Sequence, residues 1–171
     1  MAKKTKTNAC RKLDQSKISY QIHEYYESSA VSGKDVANFL KEDPDDVYKT
    51  LVVQGKSKNH YVFVIPVLQE LDLKKAAKAS GEKSVLMLAQ KDLLPLTGYE
   101  HGGCSPIGMK KEFSTFIDQK AQEKDRFFIS GGRIGLQLEL SPRDLRKIVP
   151  YTFSDLTKDQ KTLADEEKAK P

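Results

Sequence analysis

The segment from residue 47 to residue 67 constrains the fold of this chain most strongly. It reads VYKTLVVQGKSKNHYVFVIPV, in which two runs rich in β-branched and aromatic residues flank the polar tetrapeptide KSKN. Such residues suit the pleated surface of a sheet, and a short polar break between two of these runs is typical of a β-hairpin. The sequence therefore predicts an antiparallel pair of strands in the first half of the chain.

Five further runs are strand-like. They are ISYQIHEY, in which apolar and polar residues alternate, KSVLML, FSTFIDQ, RFFIS and IGLQLEL. The last two flank a glycine turn, so they form a second predicted hairpin. The chain is therefore expected to contain about seven short strands.

Short helices are predicted between these strands. A capping residue precedes three of them: VANFLK follows Ser32, LKKAAKAS runs from Asp72 to a stop at Gly81, and the third starts at Ser141. Residues 8–17 and the run QKDLLPLT add two more. Together these elements predict a fold of the α/β class, of the α+β type: a single compact domain with a mixed, barrel-like β-sheet surrounded by short helices.

Length and composition divide the chain into three parts. Its 171 residues are enough for one domain with its own core. We expect a flexible basic N-terminus at residues 1–12, a folded domain at residues 13–157 and a charged C-terminal tail at residues 158–171. No apolar run is long enough for a membrane span, no signal segment opens the chain, and two cysteines make no disulfide framework. These features predict a cytoplasmic protein without a membrane partner.

The charge leaves the kind of partner open. The chain has 29 basic and 24 acidic residues, a net charge of +5. A mildly basic surface permits a polyanionic partner such as a nucleic acid, and it equally fits an ordinary soluble surface. No strand carries the stacked aromatic residues that mark common RNA-binding modules.

The glycine-rich segment GYEHGGCSPIGMKK, residues 98–111, is the first place to look for chemistry. His101 and Cys104 are two kinds of metal ligand three residues apart, but the chain offers no paired spacing that would complete a zinc site. No nucleophile signature surrounds Cys104, and a small thiol commonly serves packing. We therefore predict no metal and no cofactor, and we interpret Cys104 as a packing residue.

The glycines of this segment suit a role for bare backbone. Gly102 and Gly103 allow backbone N–H groups to turn toward an anion or a developing oxyanion. The phosphate-binding pattern of nucleoside triphosphatases is absent, because no GK[ST] triplet opens a helix here. A second glycine turn, GGRIG at residues 131–135, is interpreted from the residues as a hairpin bend.

Lys49 is the charged residue with the most unusual setting. By strand parity it shares a face with Leu51 and Val53, whereas Tyr48 points to the opposite face. An unpaired ammonium on an apolar face is costly, which would indicate a function. An edge-strand lysine with its stem along the sheet explains the same pattern. The residues alone leave these two interpretations open.

Several blocks together carry a family resemblance. VYKTLVV, LDLKKAAKA, TGYEHGGCSPIGMKK and FFISGGRIGLQLEL, followed by SPRDL, occur in this order. With them the chain resembles the YbaK/EbsC family of aminoacyl-tRNA deacylases, which is related to the editing domain of bacterial prolyl-tRNA synthetases. The resemblance runs from about Ile18 to Phe153. It implies a compact α/β fold with a barrel-like sheet, and it implies mischarged tRNA and prolyl-tRNA synthetase as partners.

The resemblance implies trans-editing, which is the hydrolysis of the ester that joins a wrong amino acid to tRNA. The usual substrate in the family is cysteine on the proline tRNA, because a binding pocket discriminates poorly between amino acids of similar size. In cysteine-specific members the substrate's own thiol attacks its carbonyl and releases a cyclic thioester, so no protein nucleophile is needed. The protein then contributes orientation and charge stabilisation.

The resemblance also implies a set of site residues. Lys49 matches the pocket lysine of the family, and Gly102 and Gly103 match glycines whose backbone lines the site, so these three are the predicted catalytic positions. The predicted substrate-binding positions are Tyr25 (with Tyr26 as an alternative), Ser32, Thr50, His101, Ser105, Ser130, Gly131 and Gln137.

Two of these positions depart from the family pattern. Ser32 stands where many members carry an aromatic residue, and Gln137 stands where many carry an acid. Both positions lie near the acyl pocket in the family. The alternatives therefore include a deacylase for another amino acid, such as alanine on the proline tRNA, and a non-catalytic tRNA-binding or regulatory protein.

Overall fold

The computed structural model describes residues 6–24 and 43–159. Within these ranges the chain forms eight strands: β1 (Gln21–Glu24), β2 (Tyr48–Gly55), β3 (His60–Pro66), β4 (Val85–Met87), β5 (Ser114–Asp118), β6 (Phe127–Ser130), β7 (Leu136–Leu140) and β8 (Tyr151–Ser154). Four α-helices accompany them: α1 (Asn8–Gln15), α2 (Leu73–Ser80), α3 (Gln90–Thr97) and α4 (Pro142–Leu145). Short 3-10 turns lie at Pro44–Asp46 and Gln119–Glu123.

The strands form two sheets. The larger has the order β4-β2-β3-β5-β8, with β2 antiparallel to β3 and β4, and with β3, β5 and β8 parallel. The smaller is antiparallel and has the order β1-β7-β6. A parallel bridge between Val47 and Phe128 joins the start of β2 to β6. The predicted mixed α/β architecture is confirmed, and within the described ranges the two sheets meet without closing into a barrel.

Local sequence signals account for most of these elements. Both predicted hairpins are confirmed, since β2 pairs with β3 and β6 pairs with β7. Asp72 caps α2 by accepting hydrogen bonds from the N–H groups of Lys74 and Lys75, and Gly81 ends that helix with a φ of 74°. The helix predicted after Ser32 lies outside the described residues.

Two strands differ from the sequence-based expectation. Of the alternating run ISYQIHEY, the described residues 18–24 form only the four-residue β1 at the edge of the smaller sheet, and Ile22 is 43% exposed. Alternation shows which residues share a face, but it does not show whether another layer covers that face. Strand β8 was not predicted, because a four-residue edge strand after a proline lacks a long β-branched run.

The main core lies between α1 and the inner faces of both sheets. Leu13, Ile117, Phe127 and Leu138 are all fully buried there. Ala9 and Cys10 also belong to this core, so packed structure extends N-terminal of the domain boundary expected at residue 13. A second apolar cluster covers the other face of the larger sheet. It consists of Val53, Phe63, Ile65, Leu71, Ala76, Ala77, Val85 and Leu156.

Helices in the described ranges are all too short and too polar to cross a membrane.

Candidate active site

Lys49 lies on the outer face of β2, away from the main core. Tyr48 and Val52 belong to the main core, whereas Val53 and Leu51 pack in the second cluster, which confirms the predicted strand parity. The lysine is half-buried in an open cleft of about 550 Å³ that it shares with Leu51 and Glu70. Burial lowers the pKa of Lys49, and the carboxylate of Glu70 acts in the opposite direction.

Ser130 and Gln137 lie on the same outer side, beside Lys49. The parallel bridge between Val47 and Phe128 aligns β2 with β6, so Lys49 and Ser130, each two residues further along, follow on one face. Gln137 on β7 is the register partner of Ser130. Both side chains are buried, with 8% and 6% of their surface exposed.

The side chain of Gln137 has an unsatisfied polar atom. Its Oε1 is buried and has no hydrogen-bond partner among the described residues. An orphaned buried acceptor costs about 1–3 kcal/mol, and in native proteins such a group is explained by strain, by a functional role or by a bound water or ion. Ser130, by contrast, accepts a hydrogen bond of 3.3 Å at Oγ from the N–H of Gly132. The amide oxygen of Gln137 is therefore an acceptor on this face that no described residue satisfies.

His23 on β1 extends this face by one more strand. It is the register partner of Gln137, and its Nε2 lies 2.9 Å from Oε1 of Glu139. The other oxygen of Glu139 accepts a hydrogen bond of 2.7 Å from Nε of Arg126. Lys49, Ser130, Gln137 and His23 thus form a row across β2, β6, β7 and β1, which we call the polar row. Sequence reasoning missed His23, because only the register between β1 and β7 places it there.

The glycine loop, residues 98–111, packs against the turn that follows Ser130. A Cβ on Gly103 would lie 2.7 Å from the backbone nitrogen of Ile134 and 2.8 Å from Cα of Arg133, so the two backbones meet directly. The N–H of Gly103 donates a 3.0 Å hydrogen bond to the carbonyl of Glu100 and is thereby used within the loop. Gly102 has a φ of 86°, in the left-handed region that favours glycine.

Gly131 begins that turn and is held from two sides. Its N–H donates to the carbonyl of Leu136 at 2.9 Å, and its own carbonyl accepts a hydrogen bond of 2.5 Å from Oγ1 of Thr7. A Cβ at this position would lie 2.7 Å from the side chain of Leu136. The position of the turn next to Ser130 is therefore fixed by backbone contacts.

Three further predicted site residues lie within the described ranges, and none of them joins the polar row. Thr50 shares the face of Tyr48 and Val52, and its buried hydroxyl has no hydrogen-bond partner in the described part of the chain. Ser105 is fully buried, and its Oγ accepts a hydrogen bond of 3.2 Å from the N–H of Ile107. His101 is exposed in the glycine loop. Tyr25, Tyr26 and Ser32 lie outside the described residues.

Cys104 is a core residue. Its thiol is buried in the main cluster, in agreement with the packing interpretation, and burial raises its pKa to about 12. The thiol therefore stays protonated at neutral pH, and a protonated thiol is a weak nucleophile. In the described part of the chain no group of three or more His, Cys, Asp or Glu residues is arranged to hold a metal ion.

A second cleft, of about 520 Å³, lies away from these residues. It opens where β5 and β8 begin, and it is lined by Lys12, Lys111, Phe113 and Tyr151 among others. Lys49 pairs with Ile65 near the end of β3, whereas Ser114 at the start of β5 is level with Tyr61. The two clefts therefore lie at opposite ends of the larger sheet, and this one contains no predicted site residue.

Comparison with known proteins gives concordant results. The family model for an aminoacyl-tRNA editing domain matches residues 27–148. The chain is 44% identical over 161 residues to an Enterococcus faecalis protein named "Putative Cys-tRNA(Pro)/Cys-tRNA(Cys) deacylase EbsC", which covers 92% of this chain and 98% of that protein. It is 26% identical over 138 residues to a proline–tRNA ligase of Thermodesulfovibrio yellowstonii, covering 77% of this chain and 24% of the ligase.

Solved structures show the same fold. The crystal structure described as "a putative trans-editing enzyme for prolyl tRNA synthetase" superposes with a TM-score of 0.78 at 20% identity, covering 91% of this chain and all of that one. A hypothetical protein, APE2540, superposes with a TM-score of 0.80 at 20% identity, covering 89% of this chain and all of that protein. At this level of identity the likeness concerns the fold alone.

Proposed function

Because this chain belongs to the aminoacyl-tRNA editing family, we propose that it is a trans-editing deacylase that cleaves the ester between a wrong amino acid and tRNA. The observation that carries the proposal is the 44% identity to the E. faecalis protein over 98% of the length of that protein. The name of that relative specifies cysteine on the proline or cysteine tRNA. We accordingly propose Cys-tRNA(Pro) as the substrate, with prolyl-tRNA synthetase as the partner that supplies the tRNA in the cytoplasm.

The proposed site is the polar row. Lys49 would contact the terminal ribose or its phosphate, since a half-buried ammonium beside an open cleft can reach an anionic ligand. Gln137 and Ser130 would contact the aminoacyl group, and the orphaned oxygen of Gln137 would accept a hydrogen bond from the substrate amine. Gly102 and Gly103 would act by holding the turn after Ser130 in place.

The proposed reaction uses the thiol of the substrate. The sulfur attacks the carbonyl carbon of its own ester, the bond to the ribose oxygen breaks, and the ribose oxygen takes up a proton. The products are a thiolactone and tRNA with a free hydroxyl. An attached nucleophile gains a large rate advantage from being held in place, so orientation by the protein can supply much of the acceleration. The protonated state of Cys104 supports a mechanism without that thiol as nucleophile.

A release assay tests this proposal. Proline tRNA is charged separately with cysteine, alanine and proline, cysteine tRNA is charged with cysteine, and each is incubated with the purified protein. We expect cysteine to be released from Cys-tRNA(Pro), as the thiolactone or as the free amino acid formed when water opens that ring, and no release from Pro-tRNA(Pro). Release of alanine without cysteine would contradict the proposed substrate, and release from none of the four would contradict the proposed activity.

A further inference from the structure

We propose that His23, held by Glu139, is the general base that accepts the proton of the attacking thiol. This inference rests on the proposed function, because it assigns a residue to the reaction described above. It concerns the far end of the polar row from Lys49. The histidine stands two strands away from Ser130, and Gln137 lies between them.

One ring nitrogen of His23 is held by a hydrogen bond, which leaves the other able to accept a proton. Nε2 lies 2.9 Å from Oε1 of Glu139, and a carboxylate at that distance selects the tautomer that carries its proton on Nε2. The ring also packs edge-on against Phe128, with 5.2 Å between ring centres. Nδ1 points away from Glu139, and it has no hydrogen-bond partner among residues 6–24 and 43–159. It is therefore the nitrogen that can accept a proton.

Glu139 is itself held in position. Its second oxygen accepts a hydrogen bond of 2.7 Å from Nε of Arg126, so the carboxylate cannot rotate freely. The side chains of His23 and Glu139 are 28% and 18% exposed. A carboxylate that orients an imidazole and stabilises its protonated form is the arrangement that activates nucleophiles in many hydrolases. Here the activated group would be the thiol of the substrate.

The proton balance of the step is complete without another reactant. Nδ1 takes the thiol proton while sulfur forms a bond to the carbonyl carbon. The imidazolium that results returns this proton to the ribose oxygen as the carbon–oxygen bond of the ester breaks. The ring ends in its starting state, and the products remain the thiolactone and deacylated tRNA. General base catalysis of this kind contributes about 100-fold to 10,000-fold to a rate.

The test compares His23→Ala with His60→Ala on Cys-tRNA(Pro). His60 is a matched control, because it also lies on a strand and packs edge-on against a phenylalanine, 6.0 Å between centres with Phe113. Single-turnover rates are measured with and without added imidazole, and thermal melting checks that each variant is folded. We expect the single-turnover rate of His23→Ala at saturating protein to fall about 100-fold, and added imidazole to restore part of that loss.

The outcomes separate this inference from the proposed function. If wild-type protein cleaves Cys-tRNA(Pro) and His23→Ala cleaves it within about threefold of that rate, the proposed function stands and the assignment of His23 as the general base is wrong. A large loss that imidazole does not restore would mean that His23 is structural, and this also overturns the inference. If the wild-type protein is inactive, both proposals fail. The rate should fall less in Glu139→Gln than in His23→Ala, because the amide oxygen can still accept a hydrogen bond from Nε2 of His23.

Discussion

The glycine loop and the polar row differ in how far their polar groups are satisfied. In the loop, the N–H of Gly103 donates to Glu100, Oγ of Ser105 accepts from Ile107, and the hydroxyl of Tyr99 donates to the carbonyl of Ile107 at 2.6 Å. In the polar row, no residue of the described ranges hydrogen-bonds to the oxygen of Gln137 or forms an ion pair with Lys49. The polar groups of the glycine loop bond to each other, so these bonds hold the loop in its conformation. The polar row has polar groups that a ligand could satisfy.

This difference separates two kinds of contribution. The loop fixes the turn after Ser130 through backbone contact, so its substitutions should act mainly on stability. The row presents side chains, so its substitutions should act mainly on turnover.

Lys49→Ala should reduce single-turnover deacylation about 100-fold or more while the melting temperature stays near that of the wild type. The ammonium would stabilise charge at the ribose or phosphate during the reaction, and loss of such an interaction typically costs this much. Lys56→Ala is the control, because this exposed lysine lies just beyond the end of the same strand. Equal rates for Lys49→Ala and the wild type would remove Lys49 from the site.

Gly103→Ala should destabilise the protein by about 3 kcal/mol, because its Cβ would collide with backbone atoms that cannot move aside easily. Urea denaturation measures the change. Gly81→Ala is the matched control, since Gly81 has a φ of 74° but no atom within 4 Å of the added Cβ, and it should cost only about 1–2 kcal/mol.

Gly102→Ala should fall between these two, because the nearest atom to its Cβ belongs to the flexible side chain of Ile134 at 3.4 Å. An equal loss for Gly81→Ala and Gly103→Ala would show that the backbone contact has no special importance.

These glycines also show how far sequence reasoning could go. The hairpins, the cap at Asp72 and the parity of Lys49 depend on neighbours in the chain, and all were predictable. Gly102 and Gly103 are indistinguishable by sequence, because the contact that separates them comes from the turn some thirty positions further along. The family resemblance named Ser130 and Gln137 as site residues, but their place in one row with His23 could not be predicted, since these three residues meet only through the pairing of three strands.

Cys104→Ala should keep deacylation within about threefold of the wild type and cost about 1 kcal/mol of stability. The substitution should also change how the stability of the protein depends on pH. The buried thiol keeps its proton up to a pKa of about 12, whereas an unfolded thiol loses it near the ordinary value of 9.0, so the wild type loses stability as the pH rises above 9. The variant should show a shallower loss over pH 9–11 in urea denaturation. An inactive Cys104→Ala would contradict this and would indicate that the thiol in the glycine loop takes part in the reaction.

The central claim is that the polar row positions a substrate that brings its own nucleophile. Comparing cysteinyl and seryl esters on the same proline tRNA tests it most directly, because oxygen replaces sulfur with little change in shape. In single-turnover measurements, we predict that the protein cleaves the cysteinyl ester. We predict that the seryl ester hydrolyses no faster than it does without protein. Equal cleavage of both esters would contradict the account and would require that the protein activate water.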